Sequence, residues 1–266
     1  MLTILALACL TGCQSVTLDL GPADPGDPTC PEVVHGADLH AVDFGHHAAA
    51  DCLRHFTQTA ADVDQLTSDL ARDVGAACDQ LATAGGVPVS TDPGVLARCD
   101  TAAAAIATAR PYAALSPFTL HRVTESTCTP APPVACRACG APCSEADSSA
   151  VRATCTAPEV EVVLSRPLPV DPAARAALAA LQKNLPIVFG AVDGRGDAFV
   201  TMLRAVDAGV WKVAQDGRLL VDGRYDVRGV ICMSQSSRLI NEEALTTYRA
   251  LVDAASHLRA VAPEAP

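Results

Sequence analysis

Residues 48–84 read AAADCLRHFTQTAADVDQLTSDLARDVGAACDQLATA. Phe56, Ala60, Val63, Thr67, Leu70, Val74, Ala77 and Leu81 recur at alternating steps of four and three. That spacing puts them on one stripe of an α-helix, an a/d seam of coiled-coil type broken only by Thr67. It predicts a helix of about 37 residues, ~55 Å long at 1.5 Å per residue. Gly85-Gly86 supplies the stop, because glycine takes the left-handed conformation that closes a helix. Asp92-Pro93 predicts a second helix, with Asp92 as N-cap and Pro93 at the first helical position. Leu96, Cys99, Ala103 and Ile106 carry it to about Arg110. A short loop between two helices implies an antiparallel hairpin. Folding that hairpin brings Cys78 towards Cys99, and we expect the two to be bonded. Closing a loop of this size contributes ~3 kcal/mol through the unfolded chain.

Composition supports a mainly α fold. Half of the 266 residues are apolar but only 3 % are aromatic, so the apolar content is mostly Ala, Val and Leu. Ala and Leu are strong helix formers. Their small area per side chain predicts a thin, extended core. The net charge is −11, with Lys183 and Lys212 the two lysines. Without a basic patch carrying interleaved aromatics, nucleic-acid binding is not expected. Direct electrostatic docking on anionic lipid is disfavoured as well.

Of twelve cysteines, Cys9 and Cys13 lie in the N-terminal apolar segment. The rest are Cys30, Cys52, Cys78, Cys99, Cys128, Cys136, Cys139, Cys143, Cys155 and Cys232. Such density points to an oxidising compartment, and the even number allows complete pairing. Five of them fall between Cys128 and Cys155, in a Pro-rich stretch beginning CTPAPPVACRACGAPC. A zinc site there would use Cys136, Cys139, Cys143 and one more, but zinc sites pair two short knuckles. The Cys136-Arg137-Ala138-Cys139 motif lacks the βαβ context of a redox CxxC. Disulfides are the simpler reading. Five is odd, so full pairing requires at least one bond leaving the segment, with Cys30, Cys52 or Cys232 as partner. Glu159 to Leu164 reads EVEVVL and predicts a short strand beside this staple.

The N-terminus sets an address. Leu2 to Leu10 has the length of a signal-peptide core and is too short to span a bilayer. Leu10-Thr11-Gly12-Cys13 resembles the lipobox of bacterial lipoproteins, in which the cysteine takes the lipid. Gln14 is not the Asp associated with inner-membrane retention, so the resemblance implies outer-membrane sorting. No Lys or Arg precedes the apolar run, which departs from the usual signal peptide. Residues 14–33 repeat Pro, Gly and Asp, the composition of an acidic tether.

The stretch before the first helix is His-rich. Asp43, His47, Asp51 and His55 fall at successive steps of four and would share a helical face. Imidazole and carboxylate at that spacing can ligate a divalent cation. A solvated face with i, i+4 ion pairs is the competing reading.

Beyond the strand, Asp171-Pro172 predicts a helix to Asn184. Pro186 predicts the first turn of a longer one reaching about Gln215, weakened between Asp193 and Asp197 by nearby glycines. Leu219 to Val221 is read as a strand or a docked loop. Asn241-Glu242-Glu243 predicts the start of a last amphipathic helix, with Leu245, Tyr248, Leu251, Val252, Ala255 and Leu258 as its apolar face.

These features resemble cysteine-rich, Ala-rich outer-membrane lipoproteins of myxobacterial type, a group that brings no known activity or catalytic residue. The likeness rests on the lipobox at Cys13, the helix pair around Cys78 and Cys99, the Cys136/Cys139/Cys143/Cys155 run, and Leu185-Pro186. G-x-S-x-G, Walker, G-x-G-x-x-G and HExxH patterns are missing from the sequence. The expectation is therefore a non-enzymatic, lipid-anchored envelope protein with a structural or protein-interaction role and no cofactor. A divalent-metal-binding periplasmic module is the alternative. The expected division is signal peptide at 1–12, lipidated tether at 13–33, helical hairpin at 34–110, Cys-rich centre with a short strand at 111–165, and helical region at 166–266.

Overall fold

The structure is a computed structural model that describes residues 50–129, 154–167, 169–193, 196, 199, 220–221, 224–225 and 227–263. It is mostly helical, with small antiparallel sheets. The long first helix, α1, spans Ala50–Ala84. Its seam is buried from Phe56 to Leu81, with only Leu70 partly covered. The interruption at Thr67 is satisfied within the helix: its hydroxyl donates to the carbonyls of Val63 and Asp64 at 3.1 and 3.0 Å. Burial exceeds one stripe. Thr57, Gln58, Thr59, Ala61 and Asp64 are buried too. A helix covered on several faces is a central helix rather than a surface one.

The stop at Gly85-Gly86 follows from backbone chemistry. Gly86 has φ +76°, and the Val87 and Gly86 N–H groups donate to the carbonyls of Ala82 and Thr83 at 3.0 and 2.9 Å. This pair of bonds is a Schellman cap, which needs the left-handed residue that glycine supplies.

Helix α2 spans Val95–Thr108, starting later than Asp92-Pro93 predicts. The Asp92 side chain is spent differently: its carboxylate accepts the Gly94 N–H at 2.8 Å, an Asx turn, and Gly94 occupies the cap position. The helix also ends before Arg110. Pro111 cannot donate to the carbonyl of Ala107, and its ring crowds that carbonyl. Ala109 is extended, and a short helix α3, Arg110–Ala113, restarts with the proline in its first turn.

Strand β1, Phe118–Thr124, was not anticipated by sequence. It pairs antiparallel with the predicted strand at Glu159–Leu164, here β4. Phe118, Leu120, Val160 and Val162 turn into the core. The ribbon continues through β2, Thr127–Thr129, and β3, Thr154–Thr156, where Cys128 stands directly opposite Cys155. The backbone N–H of Leu120 donates to the Pro263 carbonyl at 2.9 Å, tying the end of the described chain to β1.

Helix α4 spans Pro172–Asp193 without a break at Pro186. An interior proline costs ~3 kcal/mol. Leu181, Leu185, Val188 and Phe189 are all buried and lie on one face across it, so packing on both sides holds the helix continuous. Strands β5, Leu220–Val221, and β6, Arg224–Tyr225, form a small hairpin. The predicted start at Asn241 is also corrected. Helix α5, Val227–Arg238, passes through a π-helical turn, Leu239–Ala244, directly into α6, Leu245–Val261. Cys232, Ser236, Leu239, Ile240, Ala244, Tyr248, Leu251, Ala255 and Leu258 form its buried stripe. Helix α1 packs against α2, α4, α5, the π turn and α6. Among the described residues, no helix is long and apolar enough to cross a membrane.

Candidate functional site

The cysteines are the chemistry that the fold displays most directly. Cys78 on α1 is bonded to Cys99 on α2, and both are fully buried. Helix α1 presents Cys78 about two turns before its cap. The antiparallel return expected from the sequence is corrected: Gly75 lies against Arg98 while Gly85 lies against Ala105 and Ala109, so residues 85–94 run back beside α1 and α2 then follows it in the same general direction, its N-terminal end meeting Cys78. Cys128 is bonded to Cys155 across the ribbon, and both are half-buried among exposed threonines. Cys232, on the buried stripe of α5, is also disulfide-bonded. Cys13, Cys30, Cys136, Cys139 and Cys143 lie outside the described residues, and Cys52 lies in the first turn of α1.

The His and Asp face is divided. Asp51 and His55 lie at the start of α1, while Asp43 and His47 lie outside the described residues. Among the described residues, no group of three or more His, Cys, Asp or Glu side chains is arranged to hold a metal ion.

A groove of about 410 Å³ runs between α1 and α4. Asp79, Gln80, Thr83 and Ala84 line one side, and Ala179, Ala180, Lys183 and Asn184 the other. Lys183 Nζ donates to Gln80 Oε1 at 3.1 Å across it. The Asn184 amide nitrogen donates to the Ala180 carbonyl at 2.9 Å, while its Oδ1 is buried without a hydrogen-bond partner. On the far side of Asp79 sits Arg98. Its Nε donates to both Asp79 carboxylate oxygens at 3.1 and 3.2 Å, and its Nη2 makes a further bond to Oδ2. The guanidinium lies across Gly75, where any Cβ would collide with it. Hydrogen bonding to Asp79 raises the pKa of Arg98 above that of an ordinary guanidinium, so it stays a fixed cation. Nearby, Tyr112 donates to the Leu81 carbonyl at 2.7 Å, and burial pushes its phenol pKa up.

A second polar cluster joins three elements. Asp193, at the end of α4, accepts from Arg122 of β1 at 2.7 Å and from Arg259 of α6 at 2.6 Å. Arg259 also lies 4.9 Å from the Phe189 ring centroid, and Arg122 reaches Glu125 at 3.0 Å. Two cations on one carboxylate hold the ribbon against the helices. None of these residues was singled out as a site by sequence. Their partners lie 66 and 71 residues away, beyond the reach of any local pattern.

No protein-family model matches the chain, and no curated protein or solved structure is significantly similar to it.

Proposed function

We propose that this chain is an exported lipoprotein of the cell envelope, acylated at Cys13 and sorted to the outer membrane. Its elongated helical body would serve a non-catalytic structural or protein-binding role there. The observation that carries this reading is the oxidised cysteine framework. Cys78–Cys99 and Cys128–Cys155 are bonded, and Cys232 is bonded as well. Thiols in a reducing cytosol rarely stay paired in this way, so the framework fits an oxidising compartment. The lipobox-like Leu10-Thr11-Gly12-Cys13 supplies the matching address. The groove along α1 and α4 favours an interaction role, since it follows two helices and carries polar groups on both rims.

The test is membrane fractionation of Cys13→Ala produced with its own leader. The reading expects wild-type protein in the membrane pellet and the variant in the soluble envelope fraction. A variant that still pellets with membranes contradicts lipidation at Cys13. Free thiols at Cys78 and Cys99 in freshly trapped protein would separately contradict export.

A further inference from the structure

The two described disulfides close loops of similar size, with sequence separations of 21 and 27 residues, yet sit in opposite surroundings. Cys78 and Cys99 are fully buried between α1 and α2. Cys128 and Cys155 lie on three-residue strands whose flanking Thr127, Thr129, Thr154 and Thr156 are all exposed. Thiol–disulfide exchange needs a thiolate to approach a sulfur, so access governs it. The ribbon offers that access, and the α1–α2 pair does not without opening.

We propose that Cys128–Cys155 is a site of thiol–disulfide exchange that a dithiol opens while Cys78–Cys99 stays closed. A thiolate of the dithiol attacks Sγ of Cys128 or Cys155. A mixed disulfide forms, the protein S–S bond breaks, and the other cysteine leaves as a thiolate that takes a proton. The second thiol of the dithiol then attacks the mixed disulfide and releases the protein sulfur. The protein gains two electrons and two protons as thiols, and the dithiol ends as its own disulfide.

The fold makes the step reversible. The strands remain paired beyond the bond, because β1 and β4 pair in one register from Phe118↔Leu164 to Arg122↔Val160 and, past a one-residue bulge, again at Thr124↔Glu159. Phe118, Leu120, Val160 and Val162 anchor those strands in the core. Next to the bond, the Thr127 and Thr156 hydroxyls meet at 2.8 Å, and the Ser126 hydroxyl donates to the Thr156 carbonyl at 2.7 Å. The reduced thiols therefore stay opposite one another, ready to close again. Nothing in this step depends on the lipid anchor.

The experiment exposes native protein to dithiothreitol for graded times, traps thiols with iodoacetamide, and maps each cysteine by mass. Cys128 and Cys155 should be alkylated at least about tenfold faster than Cys78 and Cys99, with helical circular dichroism unchanged. After the dithiol is removed, oxidised glutathione should restore the Cys128–Cys155 link. The proposal is overturned if these two cysteines stay closed until Cys78 and Cys99 react or until helical signal is lost. It is equally overturned if re-oxidation pairs them with other cysteines.

Discussion

The α1–α2 helix pair and the β-ribbon are both crosslinked by a disulfide, but the crosslink has a different standing in each. In the helix pair, packing of α1 against α2 already places Cys78 against Cys99, and the bond is one more buried contact. In the ribbon, Cys128–Cys155 lies beyond the last core residues, where the strands expose threonines on both sides. Chain entropy treats the two alike, since loop size is similar. Surroundings separate them, and every useful perturbation measures that separation.

The largest effect belongs to the helix pair. Replacing Cys78 and Cys99 together by Ala should cost about 3–5 kcal/mol in urea unfolding, because buried packing is lost along with the loop constraint. Replacing Cys128 and Cys155 together by Ser should cost no more than about 3 kcal/mol. It should also leave the main unfolding transition intact, since the ribbon can open alone. Equal costs, with one shared transition, would erase the distinction between the regions.

Tyr112 sharpens the helical side. Its hydroxyl holds the Leu81 carbonyl near the end of α1, so Tyr112→Phe should cost about 1–2 kcal/mol. Burial raises the folded-state pKa above the unfolded value of about 10. A group raised in the folded state gives stability that is fully present below the unfolded pKa. That stability falls as pH rises above about 10 towards the folded value. Tyr112→Phe should therefore flatten the alkaline decline, which urea titrations between pH 8 and 11 would read.

The smallest effects come from ion pairs. Arg98 is partly covered and chelates Asp79, so Arg98→Ala should cost about 1 kcal/mol after allowance for solvent screening. Arg72, bound to Asp69 at 2.7 Å on the exposed face of α1, should give no measurable change when replaced by Ala. A larger loss at Arg72 than at Arg98 would reverse the ranking.

Local patterns in the sequence located α1, its glycine stop and β4, because each depends on residues close in sequence. The Cys78–Cys99 pair was legible too, but the direction of α2 was not, since it depends on how residues 85–94 pack back along α1. Where the reading failed, distant packing or a competing side-chain bond decided. Asp92 looked like a cap and instead closes a turn onto Gly94. Pro186 looked like a helix start, but Leu181, Leu185, Val188 and Phe189 keep α4 whole across it. Asn241 looked like another start, and its side chain instead donates to the Ser237 carbonyl at 2.9 Å inside a continuous helix. Strand β1 needed β4 to be visible, with the Cys-rich stretch between them. The Arg122–Asp193–Arg259 cluster has no local signature at all, since β1, α4 and α6 meet only in the folded chain.

The most direct test of the central claim, an oxidised body made for an envelope, is peptide mapping of unreduced protein. The protein should be taken from its native cells after immediate thiol trapping. A Cys78–Cys99 peptide, Cys232 in a disulfide, and no trapping reagent on any of the three are expected. Trapping reagent on Cys78 and Cys99 in the folded native protein would contradict it.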